Sequence, residues 1–259
     1  LDGPCGLAAP AGRVGVRAEL GAGVSALANV GRYVRVPTLG ERFGVTANVL
    51  GNEELLPETS VSSELGLGWA GALAPRLTLS SRVVGFARWV DALIVYRRAS
   101  VGAARPFNVA SARILGVEGS LGLNWRLPRD FVLRLEGAVL AMQPRDTTAD
   151  RTTQSQLPFV APLVGTSQLE LVAPRWTALA LERASLAVRL RGQDERLADP
   201  AGLIVLPSQV GLDVDVRAVF DPAFAFSVRL SNLLDRVLFD TIGYPLPGRA
   251  AYAQLEMTW

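Results

Sequence analysis

The sequence contains no histidine and only one cysteine, Cys5, in 259 residues. The absence of histidine excludes Ser-His-Asp and Cys-His catalysis and every metal site that needs an imidazole ligand. A single cysteine excludes an intrachain disulfide and a thiolate cluster that would hold a metal. The sequence also lacks a G-x-S-x-G nucleophile motif. We therefore expect a protein that is not an enzyme and that needs no cofactor.

A strong charge excess and a long apolar run are also missing. The 26 basic residues, all of them arginine, nearly balance 24 acidic residues, so the net charge of +2 does not indicate a nucleic-acid partner. The chain is 49% apolar with a mean hydropathy of +0.27. No run of about 18 apolar residues exists that would make a membrane helix. The apolar residues instead alternate with polar ones, which is typical of strands with one apolar face.

This alternation is clearest at the C-terminal end, where Leu255, Met257 and Trp259 share one face. The same period of two recurs along the whole chain and predicts about eleven strands in an all-β, antiparallel fold. The predicted strands begin near Val14, Gly23, Leu65, Leu77, Leu115, Phe131, Leu169, Leu186, Val210, Phe224 and Arg249.

The predicted connections are of two kinds. Short turns cover residues 71–75, 127–130 and 221–223, and long loops cover residues 35–58, 98–110, 143–165, 193–207 and 234–248. Outer-membrane barrels have short periplasmic turns and long extracellular loops. A soluble sandwich or barrel gives the same alternation, so periodicity alone leaves both interpretations open. Aromatic residues near strand ends favour the membrane barrel, while residues 175–184 form a longer turn-side connection without an assigned role.

Two stretches resemble TonB-dependent outer-membrane receptors. The first runs over residues 29–44 and 51–66, and the second over residues 231–236 and 243–249 with the aromatic end. Weaker matches, at residues 91–96, Asn108 and 112–118, lie between them in the family's order. In the first stretch the matching loop residues include Arg35, Pro37, Glu41, Asn52, Pro57 and Glu58. In the second, the closing hairpin, they are Asn232, Asp235, Gly243, Pro245, Gly248 and Trp259.

The resemblance implies a transmembrane barrel of about 22 strands around an N-terminal plug. Residues 1–259 correspond to the C-terminal half of that barrel, and we expect the plug and the first half of the barrel to be absent from this chain. Half a barrel leaves two open edges, and unsatisfied backbone groups in lipid are costly. We therefore expect this part of the protein to need the missing half.

The resemblance also implies a function. An intact receptor of this kind sits in the outer membrane of a Gram-negative bacterium and takes up a scarce, bulky nutrient such as a ferric siderophore or cobalamin. TonB acts on such a receptor through the N-terminal part. Two alternatives stay open for this chain: a passive porin-like channel, and a nonfunctional half-barrel fragment.

The polar faces of the predicted strands supply candidate residues for the barrel lumen: Arg134, Glu136, Asp213, Asp215 and Arg217. A second set consists of arginines in or near the long loops: Arg32, Arg35, Arg42, Arg97, Arg98, Arg105, Arg145 and Arg151. These arginines suit an anionic ferric chelate, the phosphates of lipopolysaccharide in the outer membrane, or pairing with loop carboxylates such as Glu53, Glu54 and Glu58. The sequence does not choose among the three.

Overall fold

The computed structural model describes residues 10–46, 48–100, 103–147, 156–198, 202–221, 224–241 and 244–257. Cys5, Gly243 and Trp259 lie outside these ranges. Within them the fold is almost entirely β, as the alternation predicts. The one α-helix, α1, spans Leu39–Phe43, and single 3-10 turns cover Pro128–Asp130 and Thr177–Leu179. No helix in the described part of the chain is long and apolar enough to cross a membrane.

The strands of these ranges differ widely in length, from two residues to 24. In chain order they are β1 (Gly12–Gly21), β2 (Val24–Arg35), β3 (Gly44–Thr46), β4 (Val49–Leu50), β5 (Glu58–Ala74), β6 (Leu77–Ser100), β7 (Ala103–Arg126), β8 (Val132–Asp146), β9 (Leu163–Ala173), β10 (Arg183–Gln193), β11 (Arg196–Leu197), β12 (Val205–Leu206), β13 (Gln209–Asp221), β14 (Phe224–Ser231), β15 (Phe239–Thr241), β16 (Tyr244–Pro245) and β17 (Ala250–Met257).

One large sheet contains eleven long strands in the order β1-β2-β5-β6-β7-β8-β9-β10-β13-β14-β17. Each long strand is antiparallel to the next one along the chain, so the sheet is an up-and-down meander. The number of long strands and the all-β class agree with the prediction. In the described sheet, β1 and β17 each pair on one side only, so the two edges do not meet.

The predicted loop over residues 98–110 is wrong. β6 runs on to Ser100 and β7 starts at Ala103, and cross-strand pairs such as Tyr96↔Pro106 continue the ladder. Arg97, Arg98 and Pro106 interrupt the apolar alternation, so this segment resembles a loop in sequence. Three of the four other long connections contain short described elements of their own: α1 with β3 and β4, then β11 with β12, and β15 with β16.

The register keeps apolar side chains on one face of the sheet. A typical level, Leu65↔Gly85↔Val117↔Ala141, crosses four strands without a polar residue. No described element covers this apolar face, and Leu65 is 69% and Val117 50% exposed. The buried apolar cluster of Val90, Ala112 and Leu157 lies instead at the loop end of the sheet. A soluble barrel packs its apolar face inside, whereas an uncovered apolar face is typical of the outer surface of a membrane barrel.

Tryptophans mark both limits of the apolar face. Trp125 pairs with Leu77 near the turn end, and Trp89 lies about twelve residues further along the same strand, β6. At roughly 3.3 Å per residue this separation is about 40 Å along the strand. With the usual strand tilt of about 35–45°, the band between the two tryptophans is about 30 Å high. That height matches the hydrocarbon core of a bilayer.

Adjacent residues on β8 test which face contacts lipid. Val139 lies on the apolar face and Ala138 on the polar face, and both side chains are exposed. We expect Val139→Arg to lower the free energy of unfolding by about 2–4 kcal/mol in lipid vesicles, because it places a charge in the hydrocarbon. The matched control, Ala138→Arg, should change it by only about 0.5 kcal/mol. Denaturant titration of tryptophan fluorescence measures both, and equal losses would contradict the assignment of faces.

Candidate functional site

The loop between β2 and β5 begins with a helix that its own sequence specifies. Thr38 and Glu41 form a capping box at the start of α1. The backbone N–H of Glu41 donates to Thr38 Oγ1 at 3.2 Å, and the backbone N–H of Thr38 donates to Glu41 Oε2 at 2.8 Å. This reciprocal pairing satisfies two N–H groups that a helix start leaves without partners. It also fixes the Glu41 carboxylate beside the end of β2.

Arg35, the last residue of β2, holds two carboxylates at once. Its Nε and Nη2 donate to Glu58 Oε2 and Oε1 at 2.7 and 2.8 Å, a bidentate pair. Its Nη1 donates to both Glu41 oxygens at 3.1 and 3.0 Å. Glu58 Oε1 also accepts the backbone N–H of Ile94 on β6 at 2.6 Å. We call Arg35, Glu41 and Glu58 the loop clamp, because together they fasten the two ends of the loop to a third strand.

The clamp shifts the pKa values of Arg35 and Glu41. The hydrogen bond to Glu58 raises the pKa of Arg35 above its ordinary value. Burial alone would raise the pKa of Glu41, but hydrogen bonds from the Thr38 backbone and from the Arg35 guanidinium outweigh it, so the pKa of Glu41 is lowered. Charge-assisted hydrogen bonds favour the ionised carboxylate. At neutral pH the clamp therefore joins a charged Arg35 side chain to a charged Glu41 side chain.

Two asparagines attach the rest of the loop to β6 and β7. Asn52 donates through Nδ2 to the Pro106 carbonyl at 2.9 Å and is buried. Asn108 donates through Nδ2 to the carbonyls of Leu56 and Ala92, and its Oδ1 accepts the Leu56 N–H at 2.9 Å. The asparagine side chain thus acts as a substitute strand neighbour for Leu56.

Of the predicted loop residues, the structure brings Arg35, Glu41 and Glu58 into direct contact. Asn52 belongs to the same loop but contacts β7, and its backbone N–H donates to the Glu41 carbonyl at 2.8 Å. The two prolines, Pro37 and Pro57, are half-buried on either side of the clamp.

The closing hairpin is organised by Asn232, which is 2% exposed. Its backbone N–H donates to Asp213 Oδ1 at 2.9 Å, and its side chain spans the loop to the backbone of Arg236 at 2.8 and 3.1 Å. Asp235 accepts the Arg249 N–H at 3.1 Å. Asn232 and Asp235 have φ of 50° and 51°, a left-handed conformation that asparagine and aspartate tolerate well.

Of the remaining predicted hairpin residues, Pro245 and Gly248 lie in the described part of the chain. Gly248 lies where an added Cβ would be 3.4 Å from Asp235 Oδ1, and Pro245 is part of β16. Gly243 and Trp259 lie outside the described residues. The structure therefore joins Asn232, Asp235 and Gly248 in one turn.

All five predicted lumen residues lie on the polar face of the sheet, where ion pairs form a ladder across the strands. The pairs are Arg134–Glu170 at 3.2 Å, Arg189–Asp215 at 2.8 Å, Arg229–Asp215 at 2.7 Å, Arg191–Asp213 at 3.1 Å and Arg217–Glu256 at 2.8 Å. Glu136 faces Gly122 and Gln168 on the neighbouring strands. Most of the arginines are about half exposed, so each pair adds little stability on its own.

Several hollows lie along this charged wall, one of them of about 650 Å³ beside Arg134, Glu136 and Glu170. Another, of about 460 Å³, is lined by Asp213, Asp215, Arg229 and Tyr252 among others. A smaller one, of about 200 Å³, lies under the closing hairpin between Gln209 and Leu246. In the described ranges, no group of His, Cys, Asp and Glu is arranged to hold a metal ion. The wall offers guanidinium, carboxylate, amide and phenol groups, which can bind a polar ligand through hydrogen bonds.

Sequence reasoning overlooked three contributors to these loops. Thr38 was detectable, because Thr-x-x-Glu is the signature of a capping box. Asn108 stood in the matched region without a role, since nothing in the sequence shows that its amide reaches Leu56. Gln209, which exchanges two hydrogen bonds with the backbone of Phe239 at 3.1 and 2.8 Å, gave no signal at all.

A family model described as TonB dependent receptor-like, beta-barrel matches residues 8–233. Curated protein sequences gave no match. Solved structures do match the chain. The copper transporter OprC is 18% identical with a TM-score of 0.70, and the alignment covers 96% of this chain and 39% of that one. The siderophore receptor PirA from Acinetobacter baumannii is 20% identical with a TM-score of 0.64, covering 95% and 40%.

The ferric yersiniabactin uptake receptor FyuA from Yersinia pestis matches this chain to a similar extent. It is 18% identical with a TM-score of 0.61, and the alignment covers 95% of this chain and 35% of that one. At these identities the similarity establishes the fold. The chain spans about two fifths of the length of these solved structures.

Removal of the central guanidinium tests the loop clamp. Arg35→Met leaves two carboxylates facing each other, and we expect it to destabilise the loop by about 2 kcal/mol, since Arg35 is partly exposed. Amides of residues 36–57 and of Ile94 should then exchange with deuterium about thirtyfold faster. Arg42→Met on the same loop is the matched control, because Arg42 makes one long hydrogen bond of 3.3 Å to the Glu53 carbonyl. Equal acceleration in both variants would refute the clamp.

The lowered pKa of Glu41 makes the loop sensitive to acid. The folded pKa lies below the unfolded value of about 4.3, so the stabilisation is complete above that pH and is lost as the pH falls through the folded pKa. We expect proteolytic nicking of residues 36–57 to accelerate in that window. Glu41→Gln should nick faster at neutral pH and lose most of this acid response. An unchanged acid response in Glu41→Gln would assign the effect to another group.

Proposed function

Because this chain belongs to the TonB-dependent receptor-like β-barrel family, we propose that it forms part of the wall of an outer-membrane receptor for active nutrient uptake. The intact receptor binds a scarce, bulky nutrient at the loop end. It then moves the nutrient inward with energy delivered by TonB.

The observation that carries this proposal is the distribution of side chains on the sheet, which is the reverse of that in a soluble barrel. Its uncovered apolar face is bounded by tryptophans about 30 Å apart, while its polar face carries the ladder of ion pairs. Such a sheet is stable only with lipid on one side and water or protein on the other. In a Gram-negative cell this condition is met by a barrel in the outer membrane, with the turns in the periplasm.

The proposed ligand is a metal chelate, either a ferric siderophore or cobalamin. The neighbours with this fold include proteins described as siderophore receptors and a copper transporter. The charged wall supports a polar ligand, since Arg191 and Arg229 border the hollow of about 460 Å³ beside Tyr252. Arg35 is a poor candidate for ligand contact, because Glu41 and Glu58 occupy its donors. In this proposal the loop clamp shapes the entrance and does not bind the cargo.

The chain supplies the C-terminal strands of the proposed barrel. Its length is about two fifths of the solved receptors, and the described edges β1 and β17 each have an unpaired side. We propose that strands from the rest of the receptor pair with both edges, and that the plug and the contact with TonB also belong to that part. The lumen residues Arg134, Glu136 and Arg217 would then face the plug or the transport path.

Uptake by whole cells tests this function. The complete receptor that carries this chain is produced in a Gram-negative host without its own chelate receptors, and radiolabelled ferric siderophores and cobalamin are offered. We expect saturable uptake of at least one chelate in cells with TonB and background uptake in cells without it. Equal, non-saturable uptake in both hosts would indicate a passive porin-like channel. No uptake of any compound would leave the half-barrel without a transport role.

A further inference from the structure

The connection between β9 and β10 forms a structured, apolar end of its hairpin. The pairing of the two strands continues past Ala173↔Ala184 to a bridge between Trp176 and Leu181. A single 3-10 turn then closes the hairpin. The six residues from Trp176 to Leu181 read Trp-Thr-Ala-Leu-Ala-Leu and carry no charge. We call this segment the apolar tip.

An ion pair separates the apolar tip from the apolar face of the sheet. Arg175 and Glu182 lie 2.7 Å apart and directly precede and follow the tip. A charge on the lipid face is tolerated only near the interface, so this pair marks the end of the hydrocarbon layer and the tip lies beyond it. Trp176 is nevertheless 45% and Leu179 60% exposed. Exposed apolar side chains that lipid does not cover are typical of a protein-binding surface.

Strand alternation places the tip on the lumen side of the sheet. Ala184 lies on the apolar face with Leu186, and the register continues from it to the bridge. Because successive side chains alternate, Arg183 and Leu181 lie on the opposite face, and Trp176 lies there as the bridge partner of Leu181. Leu181 is buried, whereas Trp176 is open to solvent. A partner of the tip therefore approaches from beneath the lumen and not from the lipid.

Arginines without carboxylate partners surround the tip. Residues 75–76, 126–131 and 174–183, at the turn ends of β5 to β10, contain five arginines and two carboxylates, an excess of three positive charges. One arginine, Arg175, is neutralised by Glu182. The other four are exposed and form no ion pair with any described residue. We call them the rim arginines: Arg76, Arg126, Arg129 and Arg183.

The side on which these arginines lie favours a peptide over a lipid. Arg126 follows Trp125 of the apolar face, so it lies on the lumen side, as Arg183 does. Arg175 is on the lipid side, and Glu182 already neutralises it. An anionic headgroup would need the opposite arrangement, with the free guanidinium groups toward the lipid.

The rim arginines are close enough together to contact one extended segment. The backbone N–H of Arg126 donates to the Arg76 carbonyl at 2.8 Å, which joins the first two turns. From β6 to β10 there are four strand spacings, or about 19 Å. About six residues of an extended peptide span this distance. The surface is too small for a permanent interface and has the size of a transient one.

We propose that the apolar tip and the rim arginines dock an acidic, extended segment of a separate periplasmic protein. This inference rests on the proposed outer-membrane location, which puts the turns in the periplasm. Guanidinium groups bind carboxylates with two parallel hydrogen bonds, and Trp176 and Leu179 hold apolar side chains of the segment. Because the tip extends past the hydrocarbon layer, a protein that arrives from the periplasm meets it first.

Binding of a probe peptide to the complete receptor tests this surface. The receptor is placed in nanodiscs of zwitterionic lipid, which leave the turn side accessible, and fluorescence anisotropy follows a labelled peptide of about ten Glu, Leu and Ser residues. A peptide with Gln in place of Glu is the control, and we expect it to bind about tenfold more weakly. Binding of the Glu peptide should also weaken as the salt concentration rises.

The rim variant combines Arg76→Gln, Arg126→Gln and Arg129→Gln, and we expect it to lose about tenfold or more in affinity for the Glu peptide. Trp176→Ala should lose about fivefold. The matched control removes the same net charge from exposed arginines of the lumen face farther from the turns: Arg13→Gln, Arg82→Gln and Arg88→Gln. It should bind as the unmodified receptor does. Lysine at the three rim positions keeps the charge and should restore most of the affinity.

Several results would overturn the proposal. They are equal binding of the Glu and Gln peptides, equal loss in the rim variant and its charge-matched control, and a lysine variant as weak as the glutamine one. A rim variant that keeps the peptide but retains less anionic phospholipid on purification would assign the arginines to the membrane. Uptake is measured separately. A receptor that transports chelates without binding the peptide refutes the docking surface alone, whereas peptide binding without any uptake refutes the proposed function alone.

Discussion

Continuous hydrogen bonding between neighbouring strands is the constraint on which the rest of this structure depends. In a hydrocarbon layer a backbone N–H or C=O has no water to bond, so each must find its partner in the next strand. Because side chains alternate along a strand, a register fixed by those bonds also fixes the face of every residue. The apolar face and the ladder of ion pairs on the other face both follow from this one register. A slip of a single residue on β8 would bring Arg134 into the lipid and Leu135 into the lumen.

The loops solve a different problem, since they must hold a shape without a continuous ladder. They do so with side chains that imitate strand neighbours. Glu58 accepts the N–H of Ile94 at the loop end of β5, and Asn108 pairs with both backbone groups of Leu56. Asn232 does the same for the backbone of Arg236. Buried polar groups of this kind are costly unless every one is paired, which explains why the side chains are short, fixed amides and carboxylates.

Much of the sheet was predictable from the sequence, because the period of two is a local property. The final strands at Phe224 and Leu255 are readable from a few residues. The extension of β6 and β7 was not, since Arg97, Arg98 and Pro106 break the apolar pattern although the pairing continues. In the loops, the residue types of the clamp were identified through the family resemblance. Its geometry was not, because Arg35, Glu41 and Glu58 meet only after β2, α1, β5 and β6 have come together.

The meander has a consequence for how the chain assembles. Every long strand pairs with the long strands before and after it along the sequence, and the described sheet adds one more distant pairing, the parallel bridge between Val49 of β4 and Ala104 of β7. The entropy lost in closing each connection is that of one turn or one loop, and it grows only slowly with length. The sheet can therefore grow strand by strand from either end with low contact order. In the proposed barrel, the slow step is left to the pairings at β1 and β17, where the search for a partner strand is long-range.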